Sequence, residues 1–137
     1  MATFKTFEEI KAWQKARILC NEIYAVITTT GLEKDYKLKD QMSGSSGSAM
    51  DNIAEGFGRG GNAEFIQFLE ITHASACECQ SQLYRVVDRN YISKEKFNEL
   101  YNLAQEVRNM TLKLIQYLSG TEMKGAKYML RENKKKS

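Results

Sequence analysis

An all-α fold, an antiparallel up-down four-helix bundle, is predicted by three observations. Apolar residues recur at spacings of three and four along four segments. Gly, Ser, Thr and Asn break the pattern between them, and the 137-residue chain has no proline to interrupt a long helix. The segments lie at about 6–28, 35–57, 62–90 and 93–119. Residues 1–120 then form one bundle domain and residues 121–137 a basic tail.

The first helix is expected to open at Thr6, with Glu9 three residues on, the spacing of a capping box that satisfies two free backbone amides. Its buried stripe is Phe7, Ile10, Trp13, Ala16, Cys20, Ile23 and Ile27, and Thr28-Thr29-Thr30-Gly31 is a natural exit. The second helix contains Ser43-Gly44-Ser45-Ser46-Gly47-Ser48, which in isolation has the composition of a flexible spacer. Leu38, Met42, Ala49 and Ile53 nevertheless keep a four, seven, four spacing through it, so one side of a single helix carries apolar groups with small residues between them. Gly56 and Gly58 are expected as left-handed stops, and Gly60-Gly61-Asn62 as a loop.

Asn62 is expected to cap the third helix, whose seam is Phe65, Leu69, Thr72, Ala76, Cys79, Leu83 and Val86. Ser93 is expected to cap the fourth, with Phe97, Leu100, Ala104, Val107, Thr111, Leu114 and Leu118 inward and Gly120 as its stop. A second row, Leu103, Met110 and Tyr117, together with Phe68 and Ile71 on helix three, broadens the apolar surface and points to self-association; the alternative is a wide core edge.

Several chemistries are excluded on composition. Cys20, Cys77 and Cys79 are odd in number and sit inside helical patterns, as core-filling reduced thiols do. Glu70 and His73 have the Glu-x-x-His spacing of di-iron bundles, but with one histidine in the chain a subunit cannot complete such a site, and His73 is expected at the surface or an interface. Glu55, with Glu78 as a second carboxylate, is the only candidate acid/base pair, and neither a nucleophile with a neighbouring base nor a phosphate-cradling Gly-rich loop accompanies it. No metal, no cofactor and no enzymatic activity are expected. With no 18-residue apolar run and no charged-then-apolar leader, the expected location is the cytoplasm.

The order Gln41, Ser48, Asn52-Ile53-Ala54-Glu55-Gly56-Phe57-Gly58-Arg59, then Glu64-Phe65 and Phe68-Leu69, resembles the four-helix-bundle or 23S ribosomal RNA intervening-sequence proteins. Phe7, Ile10, Trp13, Gln14 and Ala16 are similar to that family's opening helix, and Ser75, Glu78, Gln82 and Leu83 to its third. The resemblance covers roughly residues 4–118 and implies a ring-shaped homopentamer. It also implies association with RNA, since family genes lie within ribosomal RNA insertions and basic relatives assist retroelement reverse transcriptases. Many relatives carry two adjacent arginines where this chain has Ser43 and Gly44.

The net charge of +3 is unevenly spread. Residues 1–120 carry 14 Lys and Arg against 15 Asp and Glu, a balance of −1, while residues 121–137 carry six against two, a balance of +4. The expected nucleic-acid contacts are therefore Lys124, Lys127, Arg131, Lys134, Lys135 and Lys136 in the tail, with Arg59 and the cluster Lys34, Lys37 and Lys39 on the body. Tyr36 beside that cluster and Tyr128 in the tail could stack on bases, whereas the other tyrosines and Trp13 fall on or beside apolar stripes and read as packing. Five tails at +4 each would gather +20, enough for avidity. Gln41, Asn52, Glu55 and Glu78 are expected to form a structural polar motif that registers the helices. The expected function is a non-enzymatic oligomeric scaffold associating with RNA or a ribonucleoprotein. The alternative is a protein-interaction adaptor, for example for a nearby-encoded reverse transcriptase, without direct nucleic-acid binding.

Overall fold

The Gly/Ser span that looks like a spacer is helical from end to end in the computed structural model, which describes residues 4–120. Four helices, α1 (Lys11–Thr29), α2 (Tyr36–Gly58), α3 (Asn62–Asp88) and α4 (Lys94–Gly120), account for nearly all of that length. Each packs on its two chain-order neighbours around a square, α1 on α2 and α4, and α3 on α2 and α4. The contacts run in opposite senses: Ser45 meets Gln82, Ser48 meets Ser75, and Ala49 meets Thr72. Likewise Lys15 meets Glu106 and Glu22 meets Lys96, so neighbours are antiparallel and the bundle is up-down-up-down.

Helix one starts later than the capping-box spacing predicts. Phe7–Glu9 form a single 3-10 turn, the chain returns to extended backbone at Ile10, and α1 begins at Lys11. The Thr6 side chain makes no capping bond, and Glu9 reaches back to the amide of Lys5 at 3.0 Å instead. The reason is burial: the extended step turns Ile10 into the core, where it is 1% exposed, and lays Phe7 edge-on against Trp13 at 5.0 Å. At the other end the hydroxyls of Thr28, Thr29 and Thr30 donate back to carbonyls of residues 24–26. Thr30 also accepts from the amide of Leu32, which plugs the core between α1 and α2.

Leu38, Met42, Ala49 and Ile53 are all buried, as their spacing predicts, and Ser45 and Ser46 are buried between them. Gly56 and Gly58 are not left-handed stops. α2 runs through Gly56 and includes Gly58 as its last residue, neither in the left-handed region, and the left-handed residue is Gly60, with φ +91°. Gly56 is a close-approach glycine: a Cβ there would lie 2.6 Å from Phe68 Cβ and 3.0 Å from Phe65 Cδ1.

The expected seam of α3 is buried throughout, joined by Ser75, Gln80 and Gln82. Its N-cap is Gly61 rather than Asn62, which is the first helical residue. α3 ends at Asp88, two residues early, in a left-handed Asn90 at φ 63°. Amides of Asn90 and Tyr91 return to the carbonyls of Val87 and Val86, the paired bonds of a Schellman motif with asparagine in glycine's usual place. Ser93 caps α4 as expected, accepting from the amide of Lys96 at 3.0 Å. Toward its end the inward residue is Ile115, 1% exposed, and not Leu114, which is half-buried. Leu103, Met110 and Tyr117 pack half-buried against the bundle's own core. That packing fits the alternative reading of the row, a wide core edge.

Candidate functional site

The four carboxyl and amide groups of the expected polar motif do not act as one unit. Asn52 Nδ2 donates to the carbonyl and hydroxyl oxygens of Ser48, at 2.8 and 3.0 Å, and Ser48 Oγ lies 2.8 Å from Ser75 Oγ on α3. Glu55 pairs within its own helix, accepting from Arg59 at 3.1 Å, so it registers nothing between helices. Glu78 is exposed and forms no ion pair among the described residues. Gln41 is half-buried, and its Oε1 accepts from no described residue.

The helices are registered instead by small hydroxyls, of which periodicity singles out Thr72 but not Ser45. Ser45 Oγ donates to Gln82 Oε1 at 2.6 Å and Thr72 Oγ1 to the carbonyl of Ala49 at 3.0 Å, both buried. These bonds need α2 and α3 close together, which the small residues of α2 permit. The resemblance quoted Ser75 and Gln82, and that was the available signal for this seam.

The expected cationic residues split between the two ends of the bundle. Lys34, Lys37 and Lys39 gather at the α1–α2 connection, and Lys39 Nζ sits 5.1 Å over the ring of Tyr36, which is 67% exposed. Among the described residues none of the three has a carboxylate within ion-pair distance. Arg59 lies 22 residues after Lys37 along the same helix, hence about 33 Å away at 1.5 Å per residue. It is tied to Glu55 and stacked 5.0 Å over Phe68. The antiparallel order puts Gly120, where α4 ends, at the Arg59 end. Lys124, Lys127, Arg131, Lys134, Lys135, Lys136 and Tyr128 lie outside the described residues.

At the lysine end the α3–α4 connection is clamped onto the α1–α2 connection. Asp35 Oδ2 accepts from Arg89 at 2.7 Å and from the Tyr91 hydroxyl at 2.8 Å. The Tyr91 hydrogen bond first, then the Arg89 bond, hold the Asp35 carboxyl below the usual carboxylate range, and Asp35 pushes the Tyr91 phenol up in return. Of the tyrosines read as core or subunit packing, Tyr24 and Tyr84 are 69% and 51% exposed, with the Tyr84 ring 4.8 Å from that of Phe97.

The remaining candidates are structural. His73 is half-buried and accepts from Arg108; burial, then the Arg108 charge, hold it below its ordinary pKa. Burial pushes the Cys79 thiol up to about 12 and raises Cys20, whose Sγ donates to the Ser46 carbonyl at 3.0 Å, so both are protonated thiols at neutral pH. Among the described residues no group of three or more His, Cys, Asp or Glu could hold a metal ion, and no helix is long and apolar enough to cross a membrane.

Residues 8–113 match the family described as 23S rRNA-intervening sequence protein. Among solved structures, the chain is similar to a crystal structure of a protein with unknown function from the S23 ribosomal protein family of Bacteroides thetaiotaomicron. The two share 20% identity with a TM-score of 0.68, over 75% of this chain and 96% of that chain, a likeness that shows the fold. No curated protein matches the chain.

Proposed function

Because the chain belongs to the 23S rRNA-intervening sequence protein family, whose match spans residues 8–113, we propose that it is a cytoplasmic, homo-oligomeric scaffold that associates with structured RNA or a ribonucleoprotein. The family and the fold are consistent with a structural, non-catalytic protein. The family match carries this reading. Supporting it, Lys34, Lys37 and Lys39 form no ion pair among the described residues and stand beside an exposed Tyr36, a combination of cation and ring that suits unpaired nucleotides. The six tail cations supply a second contact. Exposed Ile18 and Ile71, each 46% accessible, are apolar surface that a ring of subunits, five in the expected assembly, would cover.

Binding then works through multivalent electrostatics with little base readout. In a titration against structured RNA at rising salt, log affinity falls steeply with log salt, deletion of residues 121–137 flattens the slope, and alanine at Lys34, Lys37 and Lys39 flattens it further. A slope that the deletion and the triple substitution both leave unchanged refutes this assignment. The balance of −1 over residues 1–120 favours a second reading, the adaptor for a polypeptide partner. A partner that stays bound after nuclease treatment of the complex supports the adaptor over the RNA scaffold.

A further inference from the structure

We propose that Arg108, on α4 where it meets His73 and Gln80 of α3, is a carboxylate-binding site that takes a glutamate or aspartate side chain of a polypeptide partner. Arg108 is half-buried and has no carboxylate within ion-pair distance among the described residues. Other cations that reach across this bundle do have one: Lys15 meets Glu106, Arg89 meets Asp35, and Lys96 meets Glu22. Arg108 is surrounded by neutral acceptors instead. Its Nε donates to His73 Nε2 at 3.3 Å, and its Nη1 to Gln80 Oε1 at 2.9 Å and Gln105 Oε1 at 3.2 Å. Nη2 donates to no described residue.

This shell holds the guanidinium in one orientation. Gln80 is 4% exposed, and its amide is anchored by bonds to the Tyr101 carbonyl at 3.3 Å and to Gln105 at 3.1 Å. Gln105 in turn donates to Asn109 at 3.0 Å. Hydrogen bonds to neutral oxygens and nitrogens satisfy donors but leave the positive charge uncompensated, and partial burial makes an uncompensated charge costly. A planar, pre-oriented guanidinium whose Nη2 donates to none of the described residues is suited to the flat, singly charged carboxylate.

Charge decides between a carboxylate and a nucleic-acid phosphate. The Nε2 atom of His73 accepts from Arg108, so the ring is neutral and Arg108 is the one positive charge of this hydrogen-bonded cluster. The two helices that frame it carry seven Asp and Glu against five Lys and Arg. Such a surface repels a polyanion at range, while a lone carboxylate held by short hydrogen bonds tolerates it. The site thus lies apart from the lysine cluster and serves a different class of partner.

The test is a nuclear magnetic resonance titration of the full-length protein, reading the His73 ring and the Arg108 guanidinium protons. The probe is an end-blocked tripeptide with one central glutamate. Saturable shifts at both groups are expected, with binding at least about tenfold weaker in Arg108→Gln and intermediate in Arg108→Lys, which keeps the charge but loses the fork. The same peptide with glutamine at its centre should not bind. Equal binding of the glutamine peptide, no saturable shift with the glutamate peptide, or unchanged affinity in Arg108→Gln overturns the proposal. So does tighter binding at these two groups by inorganic phosphate or a single-stranded RNA oligonucleotide. If Arg108→Gln does not fold, Arg108→Lys and the peptide pair still decide. The RNA salt titration reads Lys34, Lys37, Lys39 and the deletion of residues 121–137, none of them in the Arg108 cluster, so the two readings fail independently.

Discussion

Gly56 and Gly44 are both glycines inside α2, yet they answer to opposite constraints. At Gly56 the ring-bearing helix α3 leaves no room, since a Cβ would meet the backbone-anchored Cβ of Phe68 at 2.6 Å, whereas at Gly44 nothing lies within 4 Å. Gly56→Ala should destabilise by about 1–3 kcal/mol through overpacking. Gly44→Ala should stabilise by about 0.5–1 kcal/mol through helix propensity. Denaturant unfolding of both variants checks the pair, and equal effects would contradict the close approach of α2 and α3. Asp35 supplies a pH-dependent contact at the same scale. Its carboxyl is held below the ordinary range, so its contribution is present above the ordinary carboxylate pKa and is lost as pH falls through the depressed value. Thermal melts of Asp35→Asn should lie below the wild type at neutral pH, and the gap should close in acid. A constant gap across that range would show that Asp35 acts by packing alone.

At the scale of the element, α2 and α3 are registered by short polar bonds between small side chains. Ser45→Ala removes the 2.6 Å donor to a buried Gln82, leaving an unsatisfied acceptor that should cost about 1–3 kcal/mol. Adding Gln82→Leu removes the orphan as well and should recover most of the loss; a double-mutant cycle with no coupling energy would count against this bond as the register. The helices themselves were largely legible in the sequence. Leu38, Met42, Ala49 and Ile53 identified α2 despite its spacer-like composition, because burial on one face outweighs the weak propensity of Gly and Ser. Less legible were the ends. Thr6 and Glu9 have the spacing of a cap, but burying Ile10 required an extended residue between them and α1. Leu114 and Ile115 are equally apolar neighbours, and only the angle at which α4 crosses its partners turns Ile115 inward.

At the scale of the molecule, the up-down order separates what the sequence places side by side. Lys34, Lys37, Lys39 and Arg59 fall within 26 positions of one another, but the length of α2 sets the lysines and Arg59 at opposite ends. The proposed RNA contact would therefore engage either end separately or, in the proposed oligomer, wrap across several subunits. The apolar row on α4 packs half-buried on the bundle's own core, so the proposed assembly would draw on exposed surfaces such as Ile18 and Ile71. Light scattering of the purified protein should give the mass of an oligomer, and Ile18→Glu with Ile71→Glu should reduce it. A monomer at high concentration would remove the ring.

The chain's pattern by itself determined that it folds as four helices, where the core stripes run, and that the Gly/Ser span is a helix, because periodicity of burial is a local property of sequence. Only the tertiary structure decided that Gly56 is a contact rather than a stop. The same holds for Asp35 joining Arg89 and Tyr91 across more than 50 residues, and for Arg108 standing among neutral partners. Each of these depends on which side chains from distant segments meet, and spacing along one helix carries no information about its neighbour.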